Sequence, residues 1–314
     1  MFDIVGKRKW FFCISGLVIL ASIISLLVFG LKLGIEFSSG LEARINFEED
    51  VDSGLLVQAL VDLGYEGAIV QNILTEEGVE EGFLIRTQQL SEEEQQNFLD
   101  SLVSSFGNLK DEPEFRVVSS EVSTGTATVA GIAVGVAAVG ILVYITWAFH
   151  RMPRPFRYGT CALVALLHDV VVVVGIFSLL GGIMNWEVNL MFITGILAVI
   201  GYSVNNTVVV FDRIRENLRQ GISSDFEVVV NSSLVETLSR SLNTSLTTLA
   251  VVIALVLFVG VAIQNFAVVL LIGVIAGTYS SLFVAPQLLV VWEQGRLFGF
   301  IRRPSLTARG ARRG

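Results

Sequence analysis

The sequence predicts an α-helical integral membrane protein with six transmembrane helices and an α+β domain inserted outside the membrane. Three observations carry that expectation. First, 53% of the residues are hydrophobic and 16% charged, with mean hydropathy +0.70, against roughly 25% charged in a soluble domain. Second, several uncharged runs reach the roughly 20 residues that a helix needs to cross a bilayer. Third, charge is segregated. Residues 36–121 hold 20 acidic and 4 basic residues, net -16; the rest hold 9 acidic and 17 basic, net +8. A polar, acidic block therefore sits inside an apolar, basic chain. The length of 314 residues would otherwise suggest about two soluble domains. With 5 Pro and 29 Gly the chain is neither disordered nor collagen-like.

The elements follow in order. Residues 1–9 form a cytoplasmic N-terminus in which Lys7, Arg8 and Lys9 precede the first span, 10–31. That run is longer than the roughly 7–15 apolar residues of a cleaved signal peptide, so it stays as a span. Residues 32–121 form the extracytoplasmic domain. Spans two to six, within 122–292, occupy about 122–149, 158–180, 188–211, 241–263 and 266–292, and 293–314 is a basic cytoplasmic tail. The uncharged stretch 241–292 is too long for one helix and suits two, turning near Gln264 and Asn265. Basic groups lie before span one, between spans two and three, between four and five, and after six. In a six-span protein those four places share one side, which the positive-inside rule makes the cytoplasm. Basic residues at span ends set topology and give no support to nucleic-acid binding. Gly131-x-x-x-Gly135 and Gly273-x-x-x-Gly277 permit close helix approach.

Inside the domain, residues 41–47 alternate like a strand and 53–63 have helical spacing. Residues 68–74 and 82–86 read as strands around a turn-rich 75–81. Ser91 with Glu94 has the spacing of a capping box, and 114–119 reads as a last strand. The order β-α-β-β-α-β is that of a ferredoxin-like unit. Its carboxylates read as a solvated face, and the domain as a contact module. Cys13 and Cys161 fall in apolar runs and read as inert buried thiols, without a disulfide framework. No nucleophile-elbow, P-loop, zinc or triad signature is present, so neither an enzyme nor a cofactor or metal site is expected.

Ionisable groups inside spans are costly and mark function by default. His168 and Asp169 fall in the middle of span three; Asp169 lies 12 residues past Arg157, about 18 Å along a helix. They form either a self-satisfying structural pair or a proton site. In span four, Gly201, Tyr202, Ser203, Asn205, Asn206 and Thr207 lead to Asp212 and Arg213 at the membrane surface. Arg240 opens span five, followed by Asn243, Thr244, Ser245, Thr247 and Thr248. Arg240 either snorkels to the interface or acts in coupling. The hydroxyl stripe reads as helix–helix glue, and the tail arginines as contacts to anionic membrane lipids.

These strings resemble a known family. GYSVNNTVVVFDRIREN and ETLSRSLNTSLTTL resemble the fourth- and fifth-span signatures of the SecF family of protein translocase subunits, in the SecD/SecF branch of the RND superfamily. LHDVVVVVG and GTYSSLFVA resemble its third and sixth spans, and GIEFSSG a variant of GIDFxGG after the first. The resemblance runs from about Gly34 to Ala285. It implies a multi-pass protein of a bacterial or archaeal cell membrane that pairs with SecD, joins the SecYEG channel with YajC, and acts on unfolded exported polypeptides. It implies use of the proton-motive force in late stages of translocation. It also implies that Arg240 matches an arginine of the proton-coupling span interface. The family's neighbouring Asp stands here as Asn206. An amide does not titrate, so an acid of SecD, or Asp169, takes that role, or coupling is weakened. Two other functions stay open: a scaffold of the SecD–translocon complex that carries no proton, and an RND-type small-solute exporter.

Overall fold

The computed structural model describes residues 3–65, 67–74, 80–258 and 261–295. Residues 75–79 of the expected turn, and the tail arginines from Arg296 onward, lie outside the described residues. The chain starts with α1 (Arg8–Phe29) and a one-turn α2 (Ile35–Ser38), then enters the α+β domain. Its elements are β1 (Gly40–Ile45), α3 (Ser53–Asp62), β2 (Ile69–Leu74), β3 (Glu80–Thr87), α4 (Glu92–Phe106) and β4 (Glu114–Val118). The four strands pair antiparallel in the order β2-β3-β1-β4. The expected β-α-β-β-α-β sequence therefore closes as a split βαβ unit.

The period-2 pattern of β1 decides which face is covered. Leu41, Ala43 and Ile45 are buried with Phe83 and Ile85 of β3, under Leu56 and Leu60 of α3 and Phe98 and Leu102 of α4. Glu42 of β1 and Arg86 of β3 point to the other face, paired across the strands. Asp52 caps α3 by accepting from the backbone N–H of Gly54 and Leu55. Ser91 and Glu94 form the complete capping box at α4. Entry into β1 depends on Gly40, at φ 139°, where a Cβ would meet the Thr87 carbonyl oxygen at 2.4 Å.

The remaining helices are α5 (Ser120–Ala148), α6 (Pro155–Met184), α7 (Leu190–Gln220), α8 (Phe226–Phe258), α9 (Val261–Phe283) and α10 (Ala285–Glu293). Among the described residues, six helical stretches are long and apolar enough to cross a membrane: α1, α5, α6, α7, α8, and α9 running on into α10. The helices overrun the apolar runs where charge pairs support them. The helix expected from 241 begins at Phe226, and the one expected to end at 211 continues to Gln220. Asp212 pairs with Arg215 and Arg213 with Glu216, both at i,i+3 spacing that supports the extra turns of α7, and Arg213 also pairs with Glu236 of α8. Gln264 and Asn265 lie inside α9 rather than at a turn. The Asn265 amide is used instead to donate to the Glu187 carbonyl at 2.8 Å.

The two glycine pairs differ in use. Gly273 meets Val199 of α7, and Gly277 meets Ser203, at the α7–α9 crossing. Gly131 and Gly135 of α5 have nothing within 4 Å. Cys161 is buried as expected, but Cys13, expected to be buried, is exposed on α1.

Candidate functional site

Asp169 sits halfway along α6 and is 1% exposed. A carboxylate there needs partners, because an unpaired buried charge costs several kcal/mol. Three side chains from three helices supply them. Ser203 of α7 donates to Asp169 Oδ2 at 2.6 Å, and Ser280 of α9 donates to the same oxygen at 2.7 Å. His168 Nδ1 lies 3.0 Å from Oδ1. Interhelical hydrogen bonds of this kind contribute about 0.6–2 kcal/mol each in a bilayer. The His168 ring stacks against Tyr279, with centroids 6.1 Å apart. The Tyr279 hydroxyl donates to the Phe11 carbonyl at 2.8 Å and accepts from Ser15 at 3.2 Å. The acid is thereby tied to α1, α6, α7 and α9. The other imidazole nitrogen, His168 Nε2, is buried with no hydrogen-bond partner among the described residues.

A second polar chain runs beside it. Tyr202 of α7 donates to Ser245 of α8 at 2.9 Å, and Thr278 of α9 donates to the same oxygen at 2.7 Å. Asn206 and Thr207 are buried. The Thr207 hydroxyl donates to the Ser203 carbonyl at 3.1 Å. The Asn206 Nδ2 group has no partner among the described residues.

The other sequence candidates face outward. Gly201 and Asn205 of α7 are exposed, as are Arg240, Asn243, Thr244 and Thr247 of α8. The threonines donate to carbonyls of their own helix. Arg240 makes no side-chain hydrogen bond or ion pair among the described residues. The structure thus joins Asp169, His168 and Ser203, and joins Tyr202 to the hydroxyl stripe. It does not join Arg240 to Asn206 or to Asp169. Asp212 and Arg213 belong to a charge cluster at the ends of α7 and α8, where Asn217 also donates to Glu236 at 3.0 Å.

Sequence reasoning missed Ser280, Tyr279 and Glu187. Two adjacent serines inside an otherwise apolar run, and a single acid between two spans, were the signals available. Among the described residues no group of three or more His, Cys, Asp or Glu side chains could hold a metal ion.

Known proteins resemble this chain along most of its length. A family model described as protein export membrane protein SecD/SecF, C-terminal, matches residues 99–295. The chain is 43% identical over 310 residues to the protein translocase subunit SecF of Thermobaculum terrenum, across 96% of this chain and 98% of that protein. It is 34% identical to the protein translocase subunit SecDF of Bacillus subtilis, covering 93% of this chain but 38% of that one. The crystal structure of SecDF from Thermus thermophilus, described as a translocon-associated membrane protein, superposes with a TM-score of 0.80 at 29% identity. That match covers 93% of this chain and 39% of the larger one.

Proposed function

The chain belongs to the SecD/SecF family of protein-export membrane proteins, and from that premise we propose that it is an accessory subunit of the Sec translocon that works with SecD. In this reading the pair uses the proton-motive force to promote late stages of translocation of unfolded polypeptides through SecYEG. Both termini face the cytoplasm and the α+β domain faces outside.

One observation carries the reading: among the described residues, a polar face of α7 and α8 is left open. Arg240, Asn205, Asn243, Thr244 and Thr247 are exposed, and a guanidinium presented to lipid is unfavourable. A partner helix bearing an acid satisfies that face. The SecDF relatives, in which this chain matches about two fifths of a longer protein, support a SecD half as that partner. Asp169 then supplies the titratable group that Asn206 cannot. It is a carboxyl held by two hydroxyls and an imidazole, each able to rotate or change tautomer as the proton comes and goes. Alternation between the two states shifts α7 and α9 against α6, because their serines bond the charged form more strongly than the neutral one.

A scaffold that carries no proton is the second reading, favoured by Asn206. The test is Arg240→Ala, reconstituted with SecD and the channel in vesicles. Proton-gradient-dependent late release of an exported protein should be lost while assembly persists. Equal gradient-dependent release would support the scaffold.

A further inference from the structure

The open face of the sheet is turned toward the loop between α6 and α7, residues 185–189. Arg86 of β3 pairs with Glu187 of that loop, and Gln71 of β2 donates to the Asn185 carbonyl at 2.8 Å. The loop is also tied to the linker after α1. Val188 N–H donates to the Lys32 carbonyl at 2.7 Å, and Gly34 N–H to the Val188 carbonyl at 2.9 Å. On its third side, the Glu187 carbonyl accepts from Asn265 of α9. Three bodies therefore meet at five residues: the domain, the end of α1, and the helices that hold Asp169.

Glu187 is 3% exposed. A carboxylate so buried is tolerated only with a counter-charge, and Arg86 is the cation paired with it among the described residues. Arg86 is itself fixed before it meets Glu187. Its Nε donates to Glu42 at 2.6 Å, across the register pair Glu42 and Arg86 of β1 and β3. The guanidinium is thus a rigid part of the sheet, and its planar fork holds both carboxylates at once. The loop continues α6 directly, and Asn185 lies about 24 Å along the helix from Asp169.

We infer that Arg86 and Glu187 are positioning residues that join the α+β domain to α6, so that a shift of the helix at Asp169 moves the sheet instead of being absorbed in the loop. The inference rests on the proton-coupled reading of Asp169. An ordinary surface loop yields because its backbone is solvated and its contacts are few. This one is bonded on three sides around a buried charge that cannot leave its partner.

The experiment measures the distance between spin labels on Ser104→Cys of α4 and Leu257→Cys of α8. The background is Cys13→Ser with Cys161→Ala, and the protein is the complex with SecD in nanodiscs. Asp169→Asn, which imitates the neutral acid, is expected to shift the distance distribution. Arg86→Gln is expected to abolish that shift, and Arg86→Lys, which keeps the charge, to retain part of it. If Arg86→Gln disrupts folding, Glu187→Gln removes the buried charge while Arg86 keeps Glu42, and the shift should vanish there too. The same shift with and without the pair overturns the inference. Loss of gradient-dependent export in Asp169→Asn with no shift in distance overturns the joint while leaving the proton reading standing. Absence of both effects overturns the two together.

Discussion

Gly273→Ala tests the packing that holds the site together. A Cβ at Gly273 would lie 2.0 Å from Val199 Cγ2, 2.6 Å from Cγ1 and 2.8 Å from Cβ. Ordinary contact begins near 3.4 Å, so α9 would have to retreat from α7 by about 1.4 Å or Val199 would have to turn. Val199 is fully buried and β-branched, which leaves it few rotamers. Overpacking of this kind costs about 1–3 kcal/mol, a factor of roughly 5 to 150 in the folded-to-unfolded ratio. The same retreat stretches the bond from Ser280 to Asp169, since Ser280 lies two turns further along α9 while Ser203 stays with α7. Gly131→Ala is the matched control. It has the same motif spacing, but nothing lies within 4 Å, and the expected change is within about 0.5 kcal/mol. The assay is detergent-induced unfolding in mixed micelles, followed by intrinsic fluorescence. Val199→Ala added to Gly273→Ala should recover part of the loss, as expected for neighbours that couple. A Gly273→Ala protein as stable as Gly131→Ala would refute the account of this crossing.

Three further outcomes are expected. Asn206→Asp restores an acid beside the site, so gradient-dependent release should rise in vesicles; an unchanged release would favour the scaffold. Phe98→Ala empties a side chain that is 1% exposed and packed edge-on against Tyr65. It should destabilise the α+β domain by about 3–5 kcal/mol, read as faster limited proteolysis within residues 40–118. Ser91, through its backbone N–H and then its hydroxyl, holds the Glu94 carboxyl below the usual glutamate range. A depressed folded value means the stabilisation is present above the unfolded value and fades as pH falls through the folded one. The stability advantage of wild type over Glu94→Gln should therefore shrink below about pH 4.3, measured by amide exchange in the first turn of α4.

Much of this architecture is written in local sequence. The alternation of Leu41, Ala43 and Ile45 marks β1, and Ser91 with Glu94 marks the start of α4, because strand period and capping chemistry act over a few residues. What escapes a local reading is contact between distant residues. Gly131 and Gly273 sit in identical motifs, yet only Gly273 has a Val199 against it. Ser280 is 111 residues from Asp169, and Arg86 is 101 from Glu187; in sequence they are an ordinary serine and two ordinary charges. Hydropathy also hid the first four turns of α8, since Glu227, Glu236 and Arg240 interrupt the apolar pattern, whereas in the fold Glu227 pairs with Arg8 of α1 and Glu236 with Arg213 of α7. Of the site itself, His168, Asp169 and Ser203 were legible as polar groups inside apolar runs. The outward position of Arg240 and the burial of Asn206 depend on which faces of α7 and α8 the rest of the chain covers.

Asp169 is the proposed holder of the coupling proton. Its most direct test is gradient-dependent late release in vesicles containing SecD, the channel and either wild type or Asp169→Asn. The amide keeps the size and an acceptor for Ser203 and Ser280 but cannot take up or release a proton. In Asp169→Asn the gradient-dependent part should disappear while gradient-independent release and assembly persist. Equal gradient-dependent release in the two proteins would contradict it.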